Sequence, residues 1–192
     1  MTDALSRKDR VHRGLLDAGL RLFLRYGLRK TSMEAIADET QVAKATAYAY
    51  FPNKNAVFTA VVEDVISTMV AEAEAAAGLE VAPLAAIARS MSTKFVKLFE
   101  LVHTSSEGAE LLAASNQLSA EAVKRGHDAY VAHLAKLLVA AEVVERRKAT
   151  ELAEVLDSAA EGVVARATSR EDAERRIAVL VDRLVAGPLP RA

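Results

Sequence analysis

Residues 31–54 read TSMEAIADETQVAKATAYAYFPNK. A hydroxyl at Thr31 stands three residues ahead of a carboxylate at Glu34, the form of a capping box. It predicts a short helix with Met33, Ile36, Ala37 and Thr40 on one face. A second short helix is expected from Ala43 or Lys44 to about Phe51. Pro52 disfavours helix in the residue before it, and Asn53 is a good N-cap for the helix that follows. Within residues 44–54 lie two tyrosines, a phenylalanine and two lysines. That is too much aromatic surface for a solvated helix, and a buried helix would not normally alternate Tyr48, Ala49, Tyr50 and Phe51. The stretch reads as a surface built to touch something.

Upstream, Val11, Leu15, Ala18, Leu22 and Tyr26 recur at steps of three and four, with Leu16, Gly19 and Phe23 widening the apolar face. They predict a helix from about Lys8 to Tyr26, closed by Gly27, the residue type that best takes a left-handed conformation. Two short helices joined by a tight turn, with a longer helix on either side, outline a helix-turn-helix module. Leu15, Leu22, Ile36, Val42 and Phe51 are its expected core. Downstream, six helices are predicted over 53–77, 82–103, 106–115, 119–146, 150–167 and 170–186, with breaks at Gly78, Pro83, Ser105, Ser119, Thr150 and Ser169. The expected architecture is all-α, about nine helices, divided into 1–52 and 53–192 and joined rigidly through the helix after Pro52.

Composition agrees. Of 192 residues 39 are alanine and only 5% are aromatic, a balance that favours helix over sheet. No cysteine is present, which excludes disulfides, thiolate catalysis and cysteine-based zinc sites. The longest run without Asp, Glu, Lys or Arg is Leu111–Ala120, far short of a membrane span, and the N-terminus has no apolar signal core. A cytoplasmic protein without a membrane partner is expected. Residues 1–54 hold ten Lys/Arg against six Asp/Glu, and residues 55–192 hold fifteen against twenty. A basic head on an acidic body suggests that the head meets an anion.

The segments Thr31-Ser-Met-Glu-Ala-Ile-Ala37 and Val42-Ala-Lys-Ala-Thr-Ala-Tyr-Ala-Tyr-Phe-Pro-Asn-Lys54 resemble the DNA-binding signature of TetR-type transcriptional regulators, over about residues 10–62. The resemblance implies an N-terminal helix-turn-helix domain and a larger C-terminal bundle that binds an effector and dimerises. It implies a repressor that holds a near-palindromic double-stranded DNA operator as a homodimer and is released by a small, largely apolar effector, with no cofactor. Carried over by position, Lys44, Thr46, Tyr48 and Tyr50 resemble the groove and phosphate contacts, and Thr31, Ser32 and Lys54 the phosphate anchors. Ala45 and Ala49 are placed for apolar contact with thymine methyls. Ala47 and Phe51 turn toward the module's core. Three positions depart from the family pattern: Gln41 replaces the turn glycine, Ala43 a serine, and Ala56 a capping glutamate.

In the body, Phe95, Phe99, Val102, His103, Asn116, His127, Tyr130, Val131 and Leu134 fall on central helices where an effector cavity is expected, with His133 as a further polar candidate. Two apolar bands mark the expected dimer helices. One is Leu152, Val155, Leu156, Ala159, Ala160, Val163 and Val164; the other is Ile177, Leu180, Val181 and Leu184. Glu100-x-x-His103 has the spacing used by di-iron bundles, but no second copy exists, and His127 and His133 stand about 240° apart on a helix. No metal site and no enzyme is expected. The alternative is a helical-bundle interaction protein, or a small-molecule-binding protein, without specific DNA binding.

Overall fold

A computed structural model describes residues 6–79, 82–103 and 105–186. Among them are nine α-helices and no strand: α1 (Arg7–Lys30), α2 (Met33–Glu39), α3 (Lys44–Tyr50), α4 (Lys54–Ala77), α5 (Pro83–His103), α6 (Gly108–Leu118), α7 (Ala120–Ala140), α8 (Arg146–Val164) and α9 (Arg170–Val181). A wider π-helical turn, Asp182–Ala186, continues α9. The chain divides into two compact units, Met1–Val65 with Val102–Val123, and Ile66–Leu101 with Lys124–Ala192. The first unit holds the helix-turn-helix and extends past the expected end at residue 52. The start of α4 belongs to its core through Val57, Phe58 and Val61, and Leu111 and Ala114 of α6 pack against that core.

In this first unit Leu15, Leu22, Ile36 and Phe51 are buried as expected, and Val42 is partly buried against them. The α1 helix is interrupted at Gly27, whose φ of 78° suits a residue without Cβ. Tyr26, expected on the buried face, is instead 43% exposed and lies under the Arg25 guanidinium. The expected Thr31–Glu34 capping box does not form. Thr31 is buried, its hydroxyl donating to the carbonyls of Gly27 (2.8 Å) and Leu22 (3.3 Å). Ser32 becomes the cap, accepting from the Ala35 N–H. Asn53 caps α4 as expected, its Oδ1 accepting from the Ala56 N–H at 3.0 Å.

The α2–α3 turn is a Schellman motif. Gln41 takes φ 55°, its N–H donates to Asp38, and the Val42 N–H donates to Ala37. The same motif ends α7, where Glu142 also has φ 55° and the N–H groups of Glu142 and Val143 return to Val139 and Leu138. That is why α7 stops at Ala140 rather than near 146; α8 then starts at Arg146, after an extended Glu145 and before the expected Thr150.

The second unit has its own core. Ile87, Met91 and Phe95 of α5, Tyr130, Leu134 and Leu138 of α7, Leu156 and Ala160 of α8 and Ile177 of α9 are all fully buried in it. Each helix contributes residues three or four apart, the spacing that puts side chains on one face.

Candidate nucleic-acid interface

The helix α3 has seven residues and is fixed from below. Ala47 is fully buried, and Phe51, just past its end, is buried with its ring 5.3 Å from that of His12. Lys44, Ala45, Tyr48 and Ala49 are exposed, and Thr46 is half-buried. The Lys44 ammonium pairs with the Glu34 carboxylate and lies 5.9 Å from the centre of the Tyr48 ring. Its hydrogen bond to Glu34 raises the Lys44 pKa above the ordinary value, and Lys44 in turn lowers that of Glu34. Both side chains are about half exposed, so the pair contributes little stability.

Three expected contacts lie differently. Tyr50 is half-buried, its O–H donating to the Lys8 carbonyl at 3.2 Å and its ring 6.2 Å from His12, so it acts as a strut between α3 and α1. Thr31 has its hydroxyl turned inward, as described. Lys54 directs its ammonium to the carbonyls of Leu28, Arg29 and Thr31. Neither Thr31 nor Lys54 presents its polar group as a phosphate anchor, because main-chain carbonyls already engage both. Ser32 remains exposed at the start of α2. A surface groove of about 520 Å3, lined by Arg7, Arg10, Gly14, Arg21, Glu39 and Val42 among others, lies along α1 and the α2–α3 turn.

Of the expected pocket residues, Phe95, Tyr130 and Leu134 are fully buried, with Phe99 and Val131 nearly so, in one cluster of the second unit. The rings of Phe95 and Tyr130 meet edge to face at 6.2 Å. His127 is half-buried, its Nδ1 3.0 Å from Asp157 Oδ2. Val102, His103 and Asn116 fall in the first unit, where His103 and Asn116 are exposed, so they do not join that cluster. The sequence reading missed the charged centre of the cluster. The Lys94 side chain, 12% exposed, pairs with Asp157, 1% exposed, and its ammonium lies 4.0 Å from the Tyr130 ring centre and 4.5 Å from that of Phe95. Burial lowers the Lys94 pKa, and Asp157 opposes the shift. Burial also raises the Tyr130 pKa and lowers that of His133. Ser90 Oγ lies 3.4 Å from the Tyr130 hydroxyl and 3.1 Å from His133 Nε2.

The expected dimer residues also divide. Leu156, Ala160, Ile177, Val181 and Val164 are buried in their own unit's core and are not available to a second chain. Leu152, Ala159, Val163 and Leu180 are half-buried, while Val155, Val179 and Leu184 are exposed. Among the described residues no group of three or more His, Cys, Asp or Glu is placed to hold a metal ion, and no helix is long and apolar enough to cross a membrane.

The family model for bacterial regulatory proteins of the tetR family matches residues 15–61. No curated protein matches the chain. Solved structures do. A TetR-like transcriptional regulator from Rhodococcus sp. RHA1 is 24% identical, with a TM-score of 0.66 over 96% of this chain and 100% of that one. A transcriptional regulator from Cytophaga hutchinsonii is 20% identical, with a TM-score of 0.72 over 90% and 95%. SmeT, the repressor of the Stenotrophomonas maltophilia multidrug efflux pump SmeDEF, is 20% identical, with a TM-score of 0.64 over 94% and 97%. SmeT is also solved as a complex with triclosan. Residues 15–61 of this chain are thus similar to the tetR family of bacterial regulatory proteins, and the chain has the fold of these solved structures.

Proposed function

We propose that this protein is a ligand-responsive transcriptional regulator, a repressor that binds a near-palindromic operator as a homodimer and leaves it when a small molecule binds the body. The observation that carries this reading is the outward face of α3. Lys44, Ala45, Tyr48 and Ala49 are exposed together on a short helix anchored from behind by Ala47 and Phe51, inside the segment that matches the family. Such a face fits a major groove, with Lys44 exchanging Glu34 for a phosphate and the two alanines free to meet thymine methyls. Two heads on one side of a duplex would read half-sites about 34 Å apart, or a multiple of that.

Dimerisation is proposed through the outer faces of α8 and α9, where Val155 and Val179 are each more than half exposed. The effector is proposed to be largely apolar and to act through the second unit, among Phe95, Tyr130 and their polar neighbours Ser90 and His133. It shifts the population only by preferring one of two states. The α4 helix, which begins at Lys54 and runs through residues of both units, is the proposed carrier of that shift.

Selection of duplexes from a random library, with affinities taken across a salt series, tests the reading. Recovery of one short palindrome with a steep salt dependence is expected. Lys44→Ala and Tyr48→Ala should each weaken binding to it by about 1–3 kcal/mol. Sequence-blind binding would remove the repressor and leave a helical-bundle binding protein.

A further inference from the structure

Lys54 is the first residue of α4, and its ammonium donates to three main-chain carbonyls at once: Leu28 at 2.8 Å, Arg29 at 2.9 Å and Thr31 at 3.0 Å. An ammonium has three protons, and each has a partner here. Leu28 and Arg29 lie in the short turn of α1 beyond the interruption at Gly27, at the end of the helix, where carbonyls lack intrahelical donors. Thr31 is the residue at which α1 ends, one before the cap of α2. The bonded pairs are 23 to 26 residues apart in sequence, and between them lie α2, the Gln41 turn and α3. One side chain therefore ties the beginning of the DNA-reading module to its end.

We propose that Lys54 is a positioning residue, a clasp that closes the neck of the helix-turn-helix and sets the pose of α3 without touching DNA. This rests on the DNA-binding reading. For Lys54 to take a phosphate it would have to release at least one carbonyl, reopening the junction that orients α2. The clasp also sits beside Asn53, the cap of α4. A displacement of the first turn of α4 is thereby passed to the end of α1 and the start of α2 through a single hydrogen-bonded joint.

The test compares Lys54→Met, which keeps the stem and removes charge and donors, and Lys54→Gln, which removes the charge and keeps a shorter donor. Both are made in the whole 192-residue chain and measured on the tightest duplex that the wild type selects from a random library. Lys44→Ala serves as the reference for loss of a phosphate contact. A clasp predicts roughly tenfold weaker affinity or more, as for a lost charge-assisted hydrogen bond, with the salt slope unchanged. It also predicts faster amide exchange from Thr31 to Ile36 and at Ala56 and Val57. A slope reduced by about one with unchanged exchange would make Lys54 a phosphate contact and overturn the proposal. Unchanged affinity and unchanged exchange would overturn it as well. If Lys54→Met does not fold, Lys54→Gln decides. If the wild type selects no duplex, the regulator reading falls, and exchange alone judges the clasp: faster supports it, unchanged rejects it.

Discussion

Gln41 and Glu142 present the same backbone problem in separate compact units, and each predicts the effect of one glycine. Both sit at φ 55°, one residue past the helical cap of a Schellman motif. An L side chain in that conformation costs about 1–2 kcal/mol. Glycine removes the cost but adds freedom to the unfolded chain, taking back about 0.4–1 kcal/mol. Both side chains are exposed, so their removal gives up no packing. Gln41→Gly and Glu142→Gly should each stabilise the protein by about 0.5–1 kcal/mol net. For a chain of this length that is a rise in Tm of about 1–4 °C. Thermal and urea unfolding read it, with Gln41→Ala and Glu142→Ala as controls that keep the Cβ and should shift little. The double variant should give the sum, because the sites belong to different cores. Operator affinity should survive Gln41→Gly, since the turn keeps its hydrogen bonds. Glycine variants no more stable than the alanine controls would refute the reasoning, because the left-handed cost would then be absent.

Three further outcomes are expected. Asp157→Ala leaves the Lys94 ammonium buried without its carboxylate, and should cost about 3–5 kcal/mol in denaturant unfolding; Lys94→Met combined with Asp157→Leu should recover most of it. His133 is held below its ordinary pKa by burial, so in the window beneath about 6.5 the unfolded chain binds the proton more readily than the folded one. Its contribution is present above that pH and lost as pH falls toward the folded value; His133→Gln should flatten the dependence of stability between about pH 7 and 5. Val155→Glu with Val179→Glu should convert the proposed dimer to a 20.6 kDa species in sedimentation at micromolar concentration, and a wild type already at that mass would sink the dimer.

What the sequence made legible was local. Pro52 and Asn53 marked the boundary between α3 and α4, and apolar spacing placed Ala47 and Phe51 inward, because helix caps and helix faces depend on neighbours a few residues away. What escaped depended on distant partners. Thr31 and Lys54 are residue types that serve phosphates and carbonyls equally well, and only the approach of the α4 start to the α1 end decides between them. Lys94 and Asp157 lie 63 residues apart, with no pattern in the sequence to join them. Leu152, Val155 and Leu156 are all apolar within two turns of α8, yet Leu156 faces its own core while Val155 faces out. Periodicity shows that such a helix has apolar sides; it does not say whose core each side meets. Glu142 hid the end of α7 because no glycine marked it.

The seven-residue length of α3 has a consequence for how such a protein diverges. A helix that short does not persist in water by itself, so its shape is supplied from beneath by Ala47, Phe51 and the Tyr50 strut. The outward positions Lys44, Ala45, Tyr48 and Ala49 contribute little to that support. On the proposed reading, replacing them would change what the helix reads while the scaffold stands, so a lineage could acquire a new recognition sequence through a handful of exposed substitutions and keep the rest of its chain unchanged.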